Sequence, residues 1–272
     1  MFASNTLQAS GLTQHYYRSG GDQLPLVLLH GFTDDGSCWF PVAEVLAQDY
    51  DVILPDARGH GQSSRIAGMG FDNLALAEDA AALIQGLNLE RPAVLGHSMG
   101  GFTALILAAT HPERVGCLLL EDPPLAPPPS PEMEAARETG MQQWADNLRR
   151  MQGQSLEDLM AAEHGRSPRW SAAELQYWAE SKKRVDLDVF AARSPRPVWQ
   201  ELLQQVECPI LLLYGDNRTL VDDNIAQEAA ALWQHGQAVQ IEHAGHSIRR
   251  DNPADFLVAV SGFLSKHYAE IG

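Results

Sequence analysis

The sequence predicts an α/β fold with a mostly parallel, doubly wound sheet, and two observations lead to this fold class. Short apolar runs alternate along the chain with segments that have the apolar spacing of helices. Such alternation is typical of parallel strands whose connecting helices cover both faces of the sheet. The length of 272 residues, with 45% hydrophobic side chains, is enough for one such domain and an inserted subdomain.

The predicted strands are the apolar runs that are too short to be helices. An antiparallel hairpin over residues 7–17, with a turn near Gly11, comes first and would lie at one edge. Buried parallel strands are then expected over residues 24–29, 52–54, 93–95, 115–120, 210–214 and 238–241.

Helices are expected between these strands. Asp72 or Asn73 would cap the first of them, in which five apolar residues share one face: Leu74, Ala77, Ala81, Ile84 and Leu87. Residues 225–233 form another helical pattern. The last helix is expected to begin at Asn252-Pro253, because proline is favoured at the first helical position.

The alternation of strands and helices stops after residue 122. The proline-rich run 123–131 excludes a helix or a central strand, and we interpret it as a stiff linker. Helical, polar sequence follows up to about residue 199, which is too long for a solvated loop. We therefore predict a helical cap over residues 125–198, inserted into a core formed by residues 1–124 and 199–272.

Composition and charge argue against several classes of partner. The formal net charge of −16 disfavours nucleic acid and anionic membranes, which select basic surfaces. No apolar run could span a bilayer, and the first residues lack the pattern of a secretory signal. Cys38, Cys117 and Cys208 are an odd and widely separated set, which is typical of reduced cysteines in a cytoplasmic protein. With no metal-ligand cluster or phosphate loop in the sequence, we expect no metal or organic cofactor, and a monomer or homodimer that acts on a small molecule.

Residues 96–100 have the pattern Gly-x-Ser-x-Gly, and their flanks fit a strained turn between a strand and a helix. The strand before the turn and the apolar helix after it would place the side chain of Ser98 above the sheet. Gly96 and Gly100 would let the two elements approach closely. We therefore predict that Ser98 is a nucleophile, which requires a base to take its proton.

The base is expected after the last strand, where two histidines compete. His246 follows a glycine on the loop before the terminal helix, whereas His243 lies at the end of the strand, so we favour His246. An acyl-transfer site also needs donors for the developing oxyanion. The backbone N–H groups of Met99, directly after Ser98, and of Phe32, after an earlier strand, are the candidates.

Four segments, in this order and rough spacing, resemble the α/β-hydrolase family. They are His30-Gly31-Phe32, the loop 56–63, residues 96–101 and Gly245-His246, and the likeness covers nearly the whole chain except the cap. Within the family the sequence is similar to small-molecule esterases, enol-lactonases and C–C bond hydrolases. Related dehalogenases and epoxide hydrolases have an aspartate nucleophile where this chain has Ser98, so their chemistry is not expected.

The resemblance implies a triad acid after the strand that follows the cap, but Arg218 occupies that position. An arginine cannot orient an imidazole or stabilise an imidazolium, which needs an anionic acceptor. A minority arrangement in the family has the acid at the end of the strand that follows the nucleophile's helix, and Asp122 lies there. We favour Asp122, with the other candidates in the order Asp216, Glu121, Asp222 and Asp223.

The expected mechanism is two-step acyl transfer to water, in which Ser98 attacks a small ester, lactone or amide. His30 and the cap residues Trp144 and Trp178 are expected to bind substrate, and Arg218 would bind a substrate carboxylate. Two other functions stay open at this point: C–C bond hydrolysis of a vinylogous ketone, and a non-hydrolytic small-molecule receptor on the same fold. Steady multiple turnover would favour an enzyme, and slow single turnover with movement of the cap would favour a receptor.

Overall fold

A computed structural model describes residues 2–66, 68, 70–126, 130–191, 197–233 and 235–268. These residues form one sheet, whose strands in chain order are β1 (Ala3–Ala9), β2 (Leu12–Arg18), β3 (Pro25–Leu29), β4 (Asp51–Pro55), β5 (Ala93–His97), β6 (Cys117–Glu121), β7 (Ile210–Gly215) and β8 (Gly236–Ile241). Across the sheet the strands follow the order β1-β2-β4-β3-β5-β6-β7-β8.

The sheet is mostly parallel, as the sequence predicts. Strands β3 to β8 pair in parallel with one another, whereas β2 pairs antiparallel with both β1 and β4. The edge hairpin turns at Ser10 and Gly11, where the backbone is left-handed, with φ of 54° and 74°. The α/β fold class with a doubly wound sheet is therefore confirmed.

Helices cover both faces of the sheet and divide the core into two layers. In the described part of the chain they are α1 (Phe40–Leu46), α2 (Asn73–Gly86), α3 (Met99–Thr110), α4 (Pro131–Gly153), α5 (Leu156–Arg166), α6 (Ala172–Lys183), α7 (Trp199–Leu203), α8 (Asp223–Leu232), α9 (Ile248–Asp251) and α10 (Pro253–His267). One layer is packed by α2, α3, α7 and α8, and the other by α1 and α10. Successive residues of each buried strand alternate between the two layers, as the pleat of a strand requires.

The N-terminus of α2 shows where the pattern of the sequence was right and where it was not. Asp72 caps the helix by accepting a hydrogen bond from the N–H of Ala75 at 2.8 Å. Leu74, expected on the buried face, is 52% exposed. The buried face of α2 does not include Leu74. It consists mainly of Leu76, Ala77, Ala80, Ala81, Leu83 and Ile84.

The order of the strands places a crevice between the ends of β3 and β5. The strand that follows β3 in the chain, β4, lies on one side of β3. The next strand, β5, lies on the other side of β3. Ligands of open α/β sheets bind at such a reversal, outside the carboxyl ends of the strands. Phe32 follows β3 here and Ser98 follows β5. The register of β5 and β6 pairs His97 with Glu121, so Ser98 and Asp122 leave neighbouring strands at the same level.

The chain between β6 and β7 forms α4, α5, α6 and α7. Helices α5 and α6 have a hydrophobic cluster of their own, which includes Trp170 and Trp178. Leu125 and Trp199, near the two ends of this stretch, pack with the core instead. The predicted linker falls partly on residues 127–129, which lie outside the described residues, and the division into core and cap stays a prediction. None of the helices in the described ranges combines the length and apolar character needed to cross a membrane.

Candidate active site

Ser98 forms the turn between β5 and α3 in a left-handed conformation, with φ 51° and ψ −115°. Such a conformation costs a non-glycine residue about 1–3 kcal/mol and is found mainly where function requires it. A Cβ on Gly96 would lie 2.1 Å from the carbonyl oxygen of Gly100, and a Cβ on Gly100 would lie 2.2 Å from that of Leu29. The N–H of Ser98 donates to the carbonyl oxygen of Glu121 at 2.9 Å. Close packing on both sides therefore holds Ser98 at the carboxyl edge of the sheet.

Asp122 is completely buried at the end of β6, and its carboxylate accepts hydrogen bonds from four residues. Nδ1 of His246 donates to Oδ2 at 2.6 Å. Oδ1 accepts from the hydroxyl of Thr219 at 2.5 Å and from the N–H of Val221 at 2.9 Å, and the N–H of Leu220 lies 2.9 Å from Oδ2. Donors on both oxygens hold the carboxylate in one orientation, with one oxygen against the imidazole.

Three of these donors belong to the segment in which Arg218 occupies the usual position of the family acid. Thr219, Leu220 and Val221 directly follow Arg218, whose backbone is left-handed with φ 49°. The signal that could have found them is their position. A segment at which the family acid is expected must lie beside the histidine, so its donors reach any carboxylate that takes over the acid's place.

The other candidate acids have other partners. Asp216 is exposed and accepts from the N–H groups of His243 at 2.8 Å and Ala244 at 3.2 Å, and the hydrogen bond from His243 lowers the pKa of its carboxyl. Asp222 caps α8, and Asp223 lies in the first turn of that helix. None of these three described carboxylates bonds to the imidazole that Asp122 contacts. Within the described ranges, no group of three His, Cys, Asp or Glu side chains is arranged to hold a metal ion.

Ser98 and His246 line one cavity of about 560 Å³, here called the Ser98 cavity. Phe32 and Met99 also line it, and the backbone N–H groups of these two residues have no acceptor among the described residues. The rest of the wall is mostly apolar and includes Phe71, Leu76, Phe102, Leu125, Met141 and Trp144. The predicted nucleophile, base and oxyanion donors thus line one mostly apolar cavity, and the predicted acid contacts the base.

The two tryptophans expected to bind substrate have different surroundings. Trp144, from α4, lines the Ser98 cavity, with its ring 4.9 Å from that of Phe32. Trp178 does not line the cavity, because it packs in the cluster of α5 and α6, with its ring 6.4 Å from that of Trp170.

His30 and Arg218, also expected to bind substrate, lie outside the Ser98 cavity. His30 is buried, and both of its ring nitrogens are used: Nδ1 donates to the carbonyl oxygen of Gly31 at 2.8 Å, and Nε2 accepts the N–H of Ala57 at 2.9 Å. It therefore fixes the loop that presents Phe32. Arg218 is exposed, has a left-handed backbone and lines a separate cleft.

The side chain of His97 holds the backbone of His246 in place. Its Nε2 donates to the carbonyl oxygen of His246 at 2.9 Å, and the two rings are 4.7 Å apart. Burial, together with the nearby positive charge of Arg249, holds the pKa of His97 well below its usual range. His97 is therefore a neutral support that adds no positive charge beside His246.

A network of buried charges lies beneath the site. Asp34 contacts Lys182 at 2.9 Å, Arg250 at 2.9 Å and Arg249 at 3.4 Å, and Arg249 also contacts Glu121 at 3.0 Å. Burial alone would raise the pKa of Asp34, but Arg250, Lys182 and Arg249 hold it well below its usual range. Glu121, a lesser candidate for the triad acid, is used in this network.

Comparisons with known proteins place this fold and site in a family. The model of the alpha/beta hydrolase fold family matches residues 25–253, which is most of the chain. The chain therefore belongs to the alpha/beta hydrolase fold family and is a hydrolase. The resemblance found in the sequence is confirmed.

Two curated relatives match over almost their full length. The N-formylmaleamate deformylase of Pseudomonas putida is 29% identical over 267 residues, with 96% of each chain covered. The (E)-2-((N-methylformamido)methylene)succinate hydrolase of Acinetobacter baylyi is 27% identical, with 96% of this chain and 98% of the relative covered.

Two solved structures share the fold over nearly the whole chain. The thermophilic esterase of Thermogutta terrifontis has a TM-score of 0.77 at 26% identity, with 97% of this chain and 99% of the esterase covered. An E-2-(acetamidomethylene)succinate hydrolase has a TM-score of 0.80 at 23% identity, with 97% and 100% covered, and at that identity it shows the fold alone.

Proposed function

We propose that this protein is a serine hydrolase that cleaves a small ester, lactone or amide through an acyl-enzyme, with Ser98, His246 and Asp122 as its triad. The observation that carries the proposal is the 2.6 Å contact between His246 and Asp122, with His246 and Ser98 lining the same cavity. The relatives support hydrolysis as the reaction class, since they are named as a deformylase, a hydrolase and an esterase.

The proposed mechanism follows from which ring nitrogen holds the proton. Because Nδ1 of His246 donates to Asp122, Nε2 is left as the base that takes the proton of Ser98 as its oxygen attacks the carbonyl carbon. The N–H groups of Phe32 and Met99, which have no acceptor among the described residues, would stabilise the oxyanion. The protonated imidazole then donates to the leaving group, and water deacylates Ser98 by the same route in reverse.

The names of the two relatives also specify substrates, and these substrates are carboxylates. Maleamate and succinate are carboxylic acids, and a cation in the cavity would be the natural partner for such a substrate. The Ser98 cavity of this chain has no lysine or arginine in its described lining. We therefore carry over the reaction class of these relatives and not the carboxylate of their substrates.

Labelling with a small fluorophosphonate tests the proposed function. Intact mass and peptide mapping should find one adduct, on Ser98, because the reagent reacts with a serine only where a base and an oxyanion site activate it. The Ser98→Ala variant is the control and should stay unlabelled. No adduct on the folded protein, together with the absence of steady turnover of simple esters, would contradict the proposal and favour a receptor.

A further inference from the structure

The charged residues that line the Ser98 cavity limit the kind of acyl group that can bind there. Its described lining contains one carboxylate, that of Asp72, and no lysine or arginine. We propose, on the basis of the hydrolase function above, that the acyl group of the substrate is uncharged and apolar. Asp72 is then a specificity-determining residue, which rejects acyl groups that end in a carboxylate.

The walls of the cavity favour apolar groups. The ring of Phe32 lies 4.9 Å from that of Trp144 and 6.0 Å from that of Phe71, so aromatic side chains from three parts of the chain meet here. An apolar acyl group gains by leaving water for these walls. A carboxylate would lose its hydration, and no lysine or arginine of the described lining could replace it, which is strongly unfavourable.

Three arginines line a separate cleft that adjoins the Ser98 cavity. Arg166, Arg169 and Arg218 line this cleft of about 420 Å³, which shares His246 with the Ser98 cavity. Arg166 pairs with Glu163 at 2.9 Å, and Arg169 donates to a backbone carbonyl oxygen. An acyl group bound in the Ser98 cavity does not meet these cations.

Asp72 adds repulsion to the cost of desolvation. One of its carboxylate oxygens accepts the N–H of Ala75 as the cap of α2, and the other bonds to no described residue. No lysine or arginine pairs with Asp72 in the described part of the chain. The N-terminus of a helix supplies roughly half a positive charge, which does not cancel the full negative charge of the carboxylate. A second carboxylate in the cavity is therefore repelled by the charge of Asp72.

Two esters of equal chain length provide the test. 4-Nitrophenyl hexanoate presents an uncharged six-carbon acyl group, and mono-4-nitrophenyl adipate presents the same chain ended by a carboxylate. At one pH and low salt, the kcat/KM for the hexanoate ester should exceed that for the adipate ester by about tenfold or more. Raising the salt concentration should shrink this ratio, because mobile ions screen the repulsion.

The Asp72→Asn variant removes the charge and keeps a good helix cap, since asparagine caps as well as aspartate. The preference for hexanoate over adipate should fall by about fivefold. Glu78→Gln is the matched control, because Glu78 lies on the same helix, is exposed and does not line the cavity. This variant should keep the wild-type preference, and thermal melting should show that both variants fold.

The outcomes separate this inference from the proposed function. A preference for the adipate ester in the wild type, or an unchanged preference in Asp72→Asn, would overturn the inference while fluorophosphonate labelling of Ser98 still supports the hydrolase. If Arg218→Ala abolished a preference for adipate, the carboxylate would be bound in the cleft and the inference would be wrong. Absence of both labelling and turnover would instead overturn the proposed function.

Discussion

Four residues at the carboxyl edge of the sheet have a left-handed backbone conformation, which residues other than glycine rarely adopt. They are Ser98, Asp122, Arg218 and His243, with φ of 51°, 42°, 49° and 60°, and they follow β5, β6, β7 and β8 in turn. Strain of about 1–3 kcal/mol at each is typical of sites whose geometry serves function. The loops after four successive strands thus bend sharply at this edge. Two of them carry Ser98 and Asp122, and a third carries the N–H groups that bond to Asp122.

At the residue scale, Asp122→Asn should lower kcat by about 10³–10⁴-fold. An asparagine that presents its amide nitrogen to His246 would select the wrong tautomer, in which Nε2 holds the proton and cannot act as a base. Steady-state kinetics with a simple ester measures the loss, and thermal melting shows whether the fold survives.

The Asp216→Asn variant is the comparison for this measurement, since the carboxylate of Asp216 is exposed and bonds to the backbone of the β8 loop. It should retain activity within a few-fold of the wild type. A collapse in Asp216→Asn with near-normal activity in Asp122→Asn would reverse the assignment of the acid.

The sequence favours Asp122 as the triad acid because the usual position of that acid holds Arg218. Since an arginine cannot serve as the acid, the carboxylate at the end of the neighbouring strand becomes the best candidate. The hydroxyl of Thr219 and the N–H groups after it were beyond the sequence, because their contact with Asp122 depends on the turn at Arg218. A left-handed arginine has no reliable signature in a single sequence.

At the element scale, the strands could be predicted because a strand buried on both faces must be apolar throughout, and few other segments are. The two tryptophans expected to bind substrate show the limit of such patterns. Trp144 and Trp178 both lie on helices between β6 and β7, yet only Trp144 lines the Ser98 cavity. The periodicity of a helix reveals that one face is covered, but not which neighbour covers it.

The approach of α3 to the sheet should make Gly100→Ala destabilising by about 1–3 kcal/mol, because the new Cβ would meet the backbone of Leu29 and one element must shift. Activity should fall as well, since a shift of β3 moves the loop that presents Phe32. Denaturant unfolding and ester turnover measure the two effects.

Gly140→Ala is the control for this change, because Gly140 lies in α4, is exposed and has open space where a Cβ would be. There the substitution should stabilise the protein by about 0.5–1 kcal/mol, the usual gain of alanine over glycine within a helix. Equal effects of the two substitutions would contradict the close packing at the turn.

At the scale of the whole molecule, ion pairs connect α6 to loops at the carboxyl edge of the sheet. Lys182 of α6 contacts Asp34, and Glu174 of the same helix contacts Arg250 at 3.2 Å. Arg184, just after α6, contacts Asp35 at 2.7 Å. These pairs set the position of α6 over the carboxyl edge of the sheet, and no pattern in the sequence pointed to them.

The centre of this network makes Asp34→Asn the most informative change to the whole molecule. Removing one partner of a buried ion pair leaves the opposite charges uncompensated, so the variant should lose about 3–5 kcal/mol of stability at pH 7. Asp49→Asn makes the same chemical change at an exposed position and should be nearly neutral. Denaturant unfolding at pH 7 compares the two variants with the wild type.

The lowered pKa of Asp34 also determines how the stability of the protein should change with pH. Because the three cations hold the pKa of Asp34 below its value in the unfolded chain, the stability that it contributes is present above about pH 4. It is lost as the pH falls from about 5 towards the lowered pKa, since the unfolded chain then binds a proton that the folded protein does not. The wild type should therefore lose more stability between pH 7 and pH 3.5 than Asp34→Asn does. Parallel curves for the two proteins would mean that Asp34 is not held as a carboxylate by these cations, and that other groups govern the acid unfolding of the molecule.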